Sequence, residues 1–188
     1  MGFLDIMLGR KRLKEASEEK IFALSTAQVT LETELGLKTA GSAAVVFKPL
    51  SAGEFVRAEN EMASLLDTVA QSSGSKVERQ TDEMGFEWLI VHDPDVEDLV
   101  TSAHLIGSEL KARGFGQQLL AAVFPFQGAR KVYWIYGYKR GAFWPFVPTG
   151  NAQDRDNAEE LELKAKLEHE LPIEQDLTRW LALFDAPL

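Results

Sequence analysis

At 188 residues, with 45% hydrophobic and 26% charged content, the chain is large enough to close one core; it has no cysteine, which excludes disulfides, thiolate metal sites and cysteine nucleophiles. Twenty basic against 29 acidic residues leave a net charge of −9, the reverse of the basic footprint that nucleic-acid binding requires. No apolar run approaches the roughly 20 residues that span a bilayer, and the opening residues carry their bases after a short apolar stretch, unlike a secretory signal, so a cytoplasmic protein is expected.

Residues 1–24 read as a separate N-terminal segment. If helical, Phe3, Leu4, Met7 and Leu8 line one face, and Arg10, Lys11 and Arg12 follow at once. Such a segment suits an anionic membrane surface, with the apolar face in the acyl boundary and the bases on headgroups; it equally suits docking on a partner or packing on its own domain. Ile6 stands where a myristoylation motif has Ser or Thr.

Residues 25–188 read as one domain. Ser25 offers a helix N-cap ahead of Val29, Leu31 and Leu35, and Gly36 can end that helix. Ala43 to Phe47 is a short apolar strand. A second helix follows, with Phe55, Ala58, Met62, Leu65, Leu66 and Val69 on one face and Ser51 with Glu54 as a capping box. Lys76 to Thr81 and Phe86 to His92 form a hairpin around Asp82-Glu83-Met84-Gly85. Asp93-Pro94-Asp95 caps a third helix, with Val96, Leu99, Val100, Ala103, Ile106 and Leu110 facing inward and Gly114 closing it.

Leu119 to Phe126 and Lys131 to Tyr138 form another hairpin, in which Pro125 calls for an edge position or a bulge near the strand's end. An acidic helix from about Asn157 to Glu170 follows, with Asp156 and Glu159 as its capping box and Glu160→Lys164 and Glu162→Lys166 as i,i+4 pairs. Pro172 stops it, and Asp176 to Phe184 is a last apolar segment. From residue 54 the order helix-strand-strand occurs twice. The expected fold is α+β, a mainly antiparallel sheet flanked by helices, with the acidic helix near the C-terminus.

Charge is segregated along the chain. Residues 1–14 carry +3, 15–109 carry −12, 110–153 carry +6 with no acid at all, and 154–188 carry −6. Either Lys111, Arg113, Arg130, Lys131, Lys139 and Arg140 pair with the protein's own acidic helices, or they face an anionic partner. Seven of the eighteen aromatics lie between Tyr133 and Phe146. A strand explains Tyr133 to Tyr138, whereas Phe143-Trp144-Pro145-Phe146 fits a strand poorly because proline lacks a ladder donor. That stretch either covers the core or displays a hydrophobic surface beside two cations, and Tyr138, Lys139, Arg140, Phe143, Trp144 and Phe146 are the candidate partner-binding residues.

No cofactor or metal motif is present, and no catalytic signature. The one enzyme reading would gather His92, Asp93 and His104, although isolated histidines are mostly structural or solvated.

Several stretches together resemble one family. They are the opening Met1-Gly2-Phe3-Leu4-Asp5 with Leu8-Gly9-Arg10, then Phe47-Lys48-Pro49, Gly85-Phe86-Glu87-Trp88-Leu89, and Gly114-Phe115-Gly116 with Leu119-Leu120. The most specific is Tyr138 to Gly150, followed by Arg155-Asp156-Asn157 and Leu171-Pro172-Ile173-Glu174, a KRGxFxPFxPxG…RDN…LPIE pattern. The chain is similar over nearly its whole length to PspAB, the PspA-associated proteins. The resemblance implies a non-enzymatic accessory or regulatory protein of a PspA-type envelope-stress response, with the coiled-coil, membrane-remodelling PspA as partner. It implies no catalytic residue. The repeated topology also resembles type III secretion chaperone-like and YbjN-like domains, a likeness of arrangement alone.

Overall fold

A computed structural model describes residues 19–48, 61, 64–72, 74–150, 153–184 and 186–188. Its frame is a seven-stranded sheet in which every strand pairing is antiparallel. The strands are β1 (Lys38–Thr39), β2 (Ser42–Phe47), β3 (Lys76–Thr81), β4 (Glu87–His92), β5 (Leu119–Gln127), β6 (Lys131–Gly137) and β7 (Ala142–Phe146). They lie in the order β3-β4-β2-β5-β6-β7, and β1 pairs with β5 as well. With α1 (Ala23–Thr33), α2 (64–72), α3 (Val96–Ala112) and α4 (Asn157–Leu167) this is the expected α+β fold, with α2-β3-β4 and α3-β5-β6 repeating one order.

The best-specified element is α3. The Asp95 carboxylate accepts from the Glu97 N–H at 2.7 Å, satisfying a first-turn donor. All six expected inward residues, Val96 to Leu110, are buried, and the helix packs on β2, β4 and β5. Gly114 then turns the chain at φ 90°, a left-handed conformation that favours glycine. The β3–β4 hairpin forms as expected. Its turn is tied by the Asp82 carboxylate, which accepts from the N–H groups of Met84 and Phe86 at 3.0 and 2.8 Å and from the Trp88 indole at 3.0 Å.

Three local expectations are corrected. Ser25 does not cap α1: a short 3₁₀ turn, Glu19–Phe22, leads directly into the helix, and the Ser25 hydroxyl is buried inside it. Ile21 and Leu24 are fully buried, so the domain's core begins ahead of residue 25. Pro125 sits in an interior strand. Its carbonyl accepts from the Ala40 N–H at 2.9 Å, at the break between β1 and β2. Because a strand residue's N–H and C=O point to the same neighbour, the donor that Pro125 lacks would face that break, where the ladder is already interrupted. In α4 the Asp156 cap forms, accepting from the Glu159 N–H at 3.0 Å, but the helix ends at Leu167. Glu162 pairs with Lys166 at 2.6 Å as expected, whereas Glu160 turns inward. The expected face of Phe55, Ala58 and Met62 and the Ser51–Glu54 box lie outside the described residues; Leu65 and Val69 of that helix are fully buried.

Candidate functional site

The aromatic, cation-bearing stretch is a hairpin at one margin of the sheet. Contrary to the expectation, Ala142–Phe146 is a regular strand: it pairs residue for residue with β6, with Pro145 opposite Trp134. Proline is tolerated because the ladder ends here, as on any edge strand. Beyond it the 171–174 segment adds a short parallel bridge. The Phe143 N–H donates to Pro172 O and the Glu174 N–H to Phe143 O, both at 2.8 Å.

This pairing decides the fate of the rings. Phe143 and Phe146 are fully buried and Trp144 is 7% exposed, so the expectation of an available aromatic docking surface at these three positions is corrected: they are core. By strand alternation Phe143 lies on the same sheet face as Tyr136, its ring 4.8 Å away. Trp144 and Phe146 share the other face with Tyr133, and Tyr133 and Phe146 stack at 5.8 Å.

The hairpin's cations fare differently. Lys139 is exposed and pairs with no carboxylate among the described residues. Arg140 has half its side chain in solvent, with its Nε 3.5 Å from a Glu174 carboxylate oxygen. Most other bases of the acid-free segment are met internally. Arg130 pairs with Asp156 and lies 3.4 Å from Glu159, and Arg113 reaches Glu109 at 3.3 Å. Lys111 stands over the Tyr138 ring at 5.4 Å. An open cleft of about 520 Å³ beside the β5–β6 turn is lined by Arg130, Lys131, Thr149 and Asp156 among others, its arginine thus already compensated.

Tyr138 anchors the tip. Its hydroxyl donates to Ala103 O on α3 at 2.7 Å, and its ring rests on Gly107, where a β-carbon would meet Cε1 at 2.7 Å. Burial first, and the neighbouring Tyr136 second, push its phenol well above the ordinary value. A raised folded value means that the stabilisation is complete below the unfolded value of about 10 and is lost as pH climbs through the folded one. The denaturation midpoint is therefore expected to fall steadily above about pH 10, and to fall less steeply in Tyr138→Phe.

Behind the strand lies a buried ion pair that sequence spacing did not expose. Glu160 is 2% exposed; it accepts from the Val147 N–H at 2.9 Å and from Arg155 Nε at 3.0 Å, and Arg155 Nη2 lies 2.8 Å from its other oxygen. Arg155 continues to Trp180 O at 2.8 Å and stands 5.3 Å over the Phe146 ring. The usable signal was there: Glu160 shares the buried face of α4 with Leu163 and Leu167, at i, i+3 and i+7.

The residues of the enzyme reading have separate occupations. His92 lies at the end of β4 near Glu78, at 3.8 Å. Asp93 accepts from the Ser75 hydroxyl at 3.0 Å, and His104 packs on the Phe22 ring at 5.0 Å. None of the three lines the cleft. Among the described residues no cluster of His, Asp or Glu could hold a metal ion, and no helix is long and apolar enough to cross a membrane. The candidate membrane-binding residues Phe3, Leu4, Met7, Leu8, Arg10, Lys11 and Arg12 lie outside the described residues.

The family model for PspA associated protein B matches residues 1–188, the whole chain. The chain belongs to the PspAB family. Comparison with curated proteins and with solved structures finds no match. Membership carries association with PspA and an accessory role. The most specific of the stretches by which the PspAB likeness is recognised, 138–150, 155–156 and 171–174, converge in space. Tyr138 to Gly150 supplies β7 and the hairpin tip, Arg155 and Asp156 hold its far end, and 171–174 closes its edge.

Proposed function

We propose that this PspAB protein is a non-enzymatic accessory factor of a PspA-type envelope-stress response that touches PspA directly through the tip of the β6–β7 hairpin, with Lys139 and Arg140 as the contact cations. The observation that carries this reading is the state of that tip. In a chain of net charge −9, Lys139 is unpaired among the described residues and Arg140 is half exposed, while both stand on a hairpin pinned to α3 by Tyr138. A fixed pair of cations steers and orients an acidic surface, and such contacts weaken with salt. The buried rings support the contact from beneath.

Co-precipitation with PspA tests it. Lys139→Glu with Arg140→Glu is expected to lower capture about tenfold at low salt and to leave the denaturation midpoint close to that of the parent chain. Undiminished capture by the folded double variant would refute the hairpin-tip contact.

A further inference from the structure

A second arginine, from a distant part of the chain, stands beside the hairpin tip. Glu174 is fixed at the sheet's margin: its N–H donates to Phe143 O at 2.8 Å, and its own C=O accepts from the Trp180 indole at 2.9 Å. Its side chain is 11% exposed and is shared by two guanidiniums, with Oε2 3.5 Å from Arg140 Nε and Oε1 3.9 Å from Arg179 Nη1. Arg179 closes the 3₁₀ turn Leu177–Arg179, which Asp176 caps by accepting from the Thr178 N–H at 3.1 Å. Its Nε lies 3.0 Å from an Asp176 carboxylate oxygen. The Thr178 hydroxyl first, with Arg179 and Arg140 among the lesser causes, holds the Asp176 carboxyl below the ordinary value, so both arginines act on one acidic centre.

This cluster is compact but not closed. Three cations, Lys139, Arg140 and Arg179, stand against two carboxylates, Glu174 and Asp176. A guanidinium carries five N–H donors in a planar fork. Arg140 meets Glu174 through its Nε, and neither of its Nη groups pairs with a carboxylate among the described residues. Arg179 meets Asp176 through its Nε, and its Nη2 is likewise without a carboxylate among those residues. About half of each arginine side chain is in solvent, 52% for Arg140 and 44% for Arg179. Because both lean on one carboxylate, the two forks are close enough to receive two neighbouring acidic side chains, such as those one turn apart on a helix, with about 5–6 Å between β-carbons.

We propose that Arg179 is the third cation of the hairpin-tip surface, and that the partner presents two adjacent carboxylates, one to the Arg140 fork and one to the Arg179 fork. The inference rests on the hairpin-tip reading and sharpens it. Lys139 adds charge, whereas the arginines add geometry, since a fork and a carboxylate form two parallel N–H···O bonds. A surface recognised through charge alone tolerates lysine in place of arginine; one recognised through forks does not.

The test compares capture of PspA at low salt by the full chain and its variants, with melting midpoints to establish that each variant is folded. Arg179→Glu is expected to lower capture about tenfold, as Lys139→Glu/Arg140→Glu does, although Arg179 lies outside the hairpin. Arg140→Lys with Arg179→Lys keeps every charge and is expected to lower capture about fivefold. If Arg179→Glu does not fold, Arg179→Gln takes its place, with the same direction expected. Capture lowered by Lys139→Glu/Arg140→Glu but untouched by the change at Arg179 overturns the inference and leaves the hairpin-tip reading standing. Full capture by the double lysine variant overturns the paired-carboxylate recognition. Undiminished capture by the folded Lys139→Glu/Arg140→Glu variant overturns the hairpin-tip reading and this inference together.

Discussion

Glu160→Ala is expected to destabilise the protein by about 3–5 kcal/mol, read from chemical-denaturation midpoints. The cost does not come from the worth of the pair, which desolvation largely cancels. It comes from what removal leaves behind. Glu160 accepts from the Val147 N–H and from Arg155, so its loss orphans one main-chain donor and one mostly buried guanidinium together. The same substitution two residues along, across the helix, provides a control. Glu162 pairs with Lys166 on the exposed side of α4, and Glu162→Ala is expected to change stability by no more than about 0.5 kcal/mol.

Phe143→Ala is the second large effect, at about 3–5 kcal/mol by the same measurement. Phe143 is fully buried against Tyr136; its strand is paired with β6 on one side, and its own N–H and C=O bond the 171–174 segment on the other. Neither wall can collapse into the vacated volume without giving up a strand pairing, so the transfer loss and the cavity cost add. A ring that served only to meet a partner would behave in the opposite way, costing binding and little stability.

The elements most legible in the sequence are those whose signals are local. The α3 cap at Asp95, its inward face and the Asp82 turn are each specified within a few residues, and each stands as expected. The misread elements depend on partners far away in the chain. Phe143-Trp144-Pro145-Phe146 looked irregular because its strand character comes from β6 on one side and from residues 172–174 on the other. Glu160 looked like a surface partner for Lys164 because the guanidinium and the Val147 N–H that claim it come from outside the helix. Ser25 looked like a cap because the turn before it, Glu19–Phe22, carries no helix-start residue of its own. At the candidate site the same division holds. The cations' exposure follows from their place in the four-residue hairpin tip, 138–141, whereas burial of the rings needed the edge segment and the C-terminal residues to be in place.

Quenching of native tryptophan fluorescence by acrylamide tests the interior placement of the aromatic band most directly. All four tryptophans are shielded, with Trp88, Trp134, Trp144 and Trp180 between 0% and 7% exposed. The native full-length chain should therefore emit at short wavelength and resist quenching until it unfolds. A readily quenched, red-shifted component that disappears in Trp144→Phe would place that ring in solvent and contradict the account.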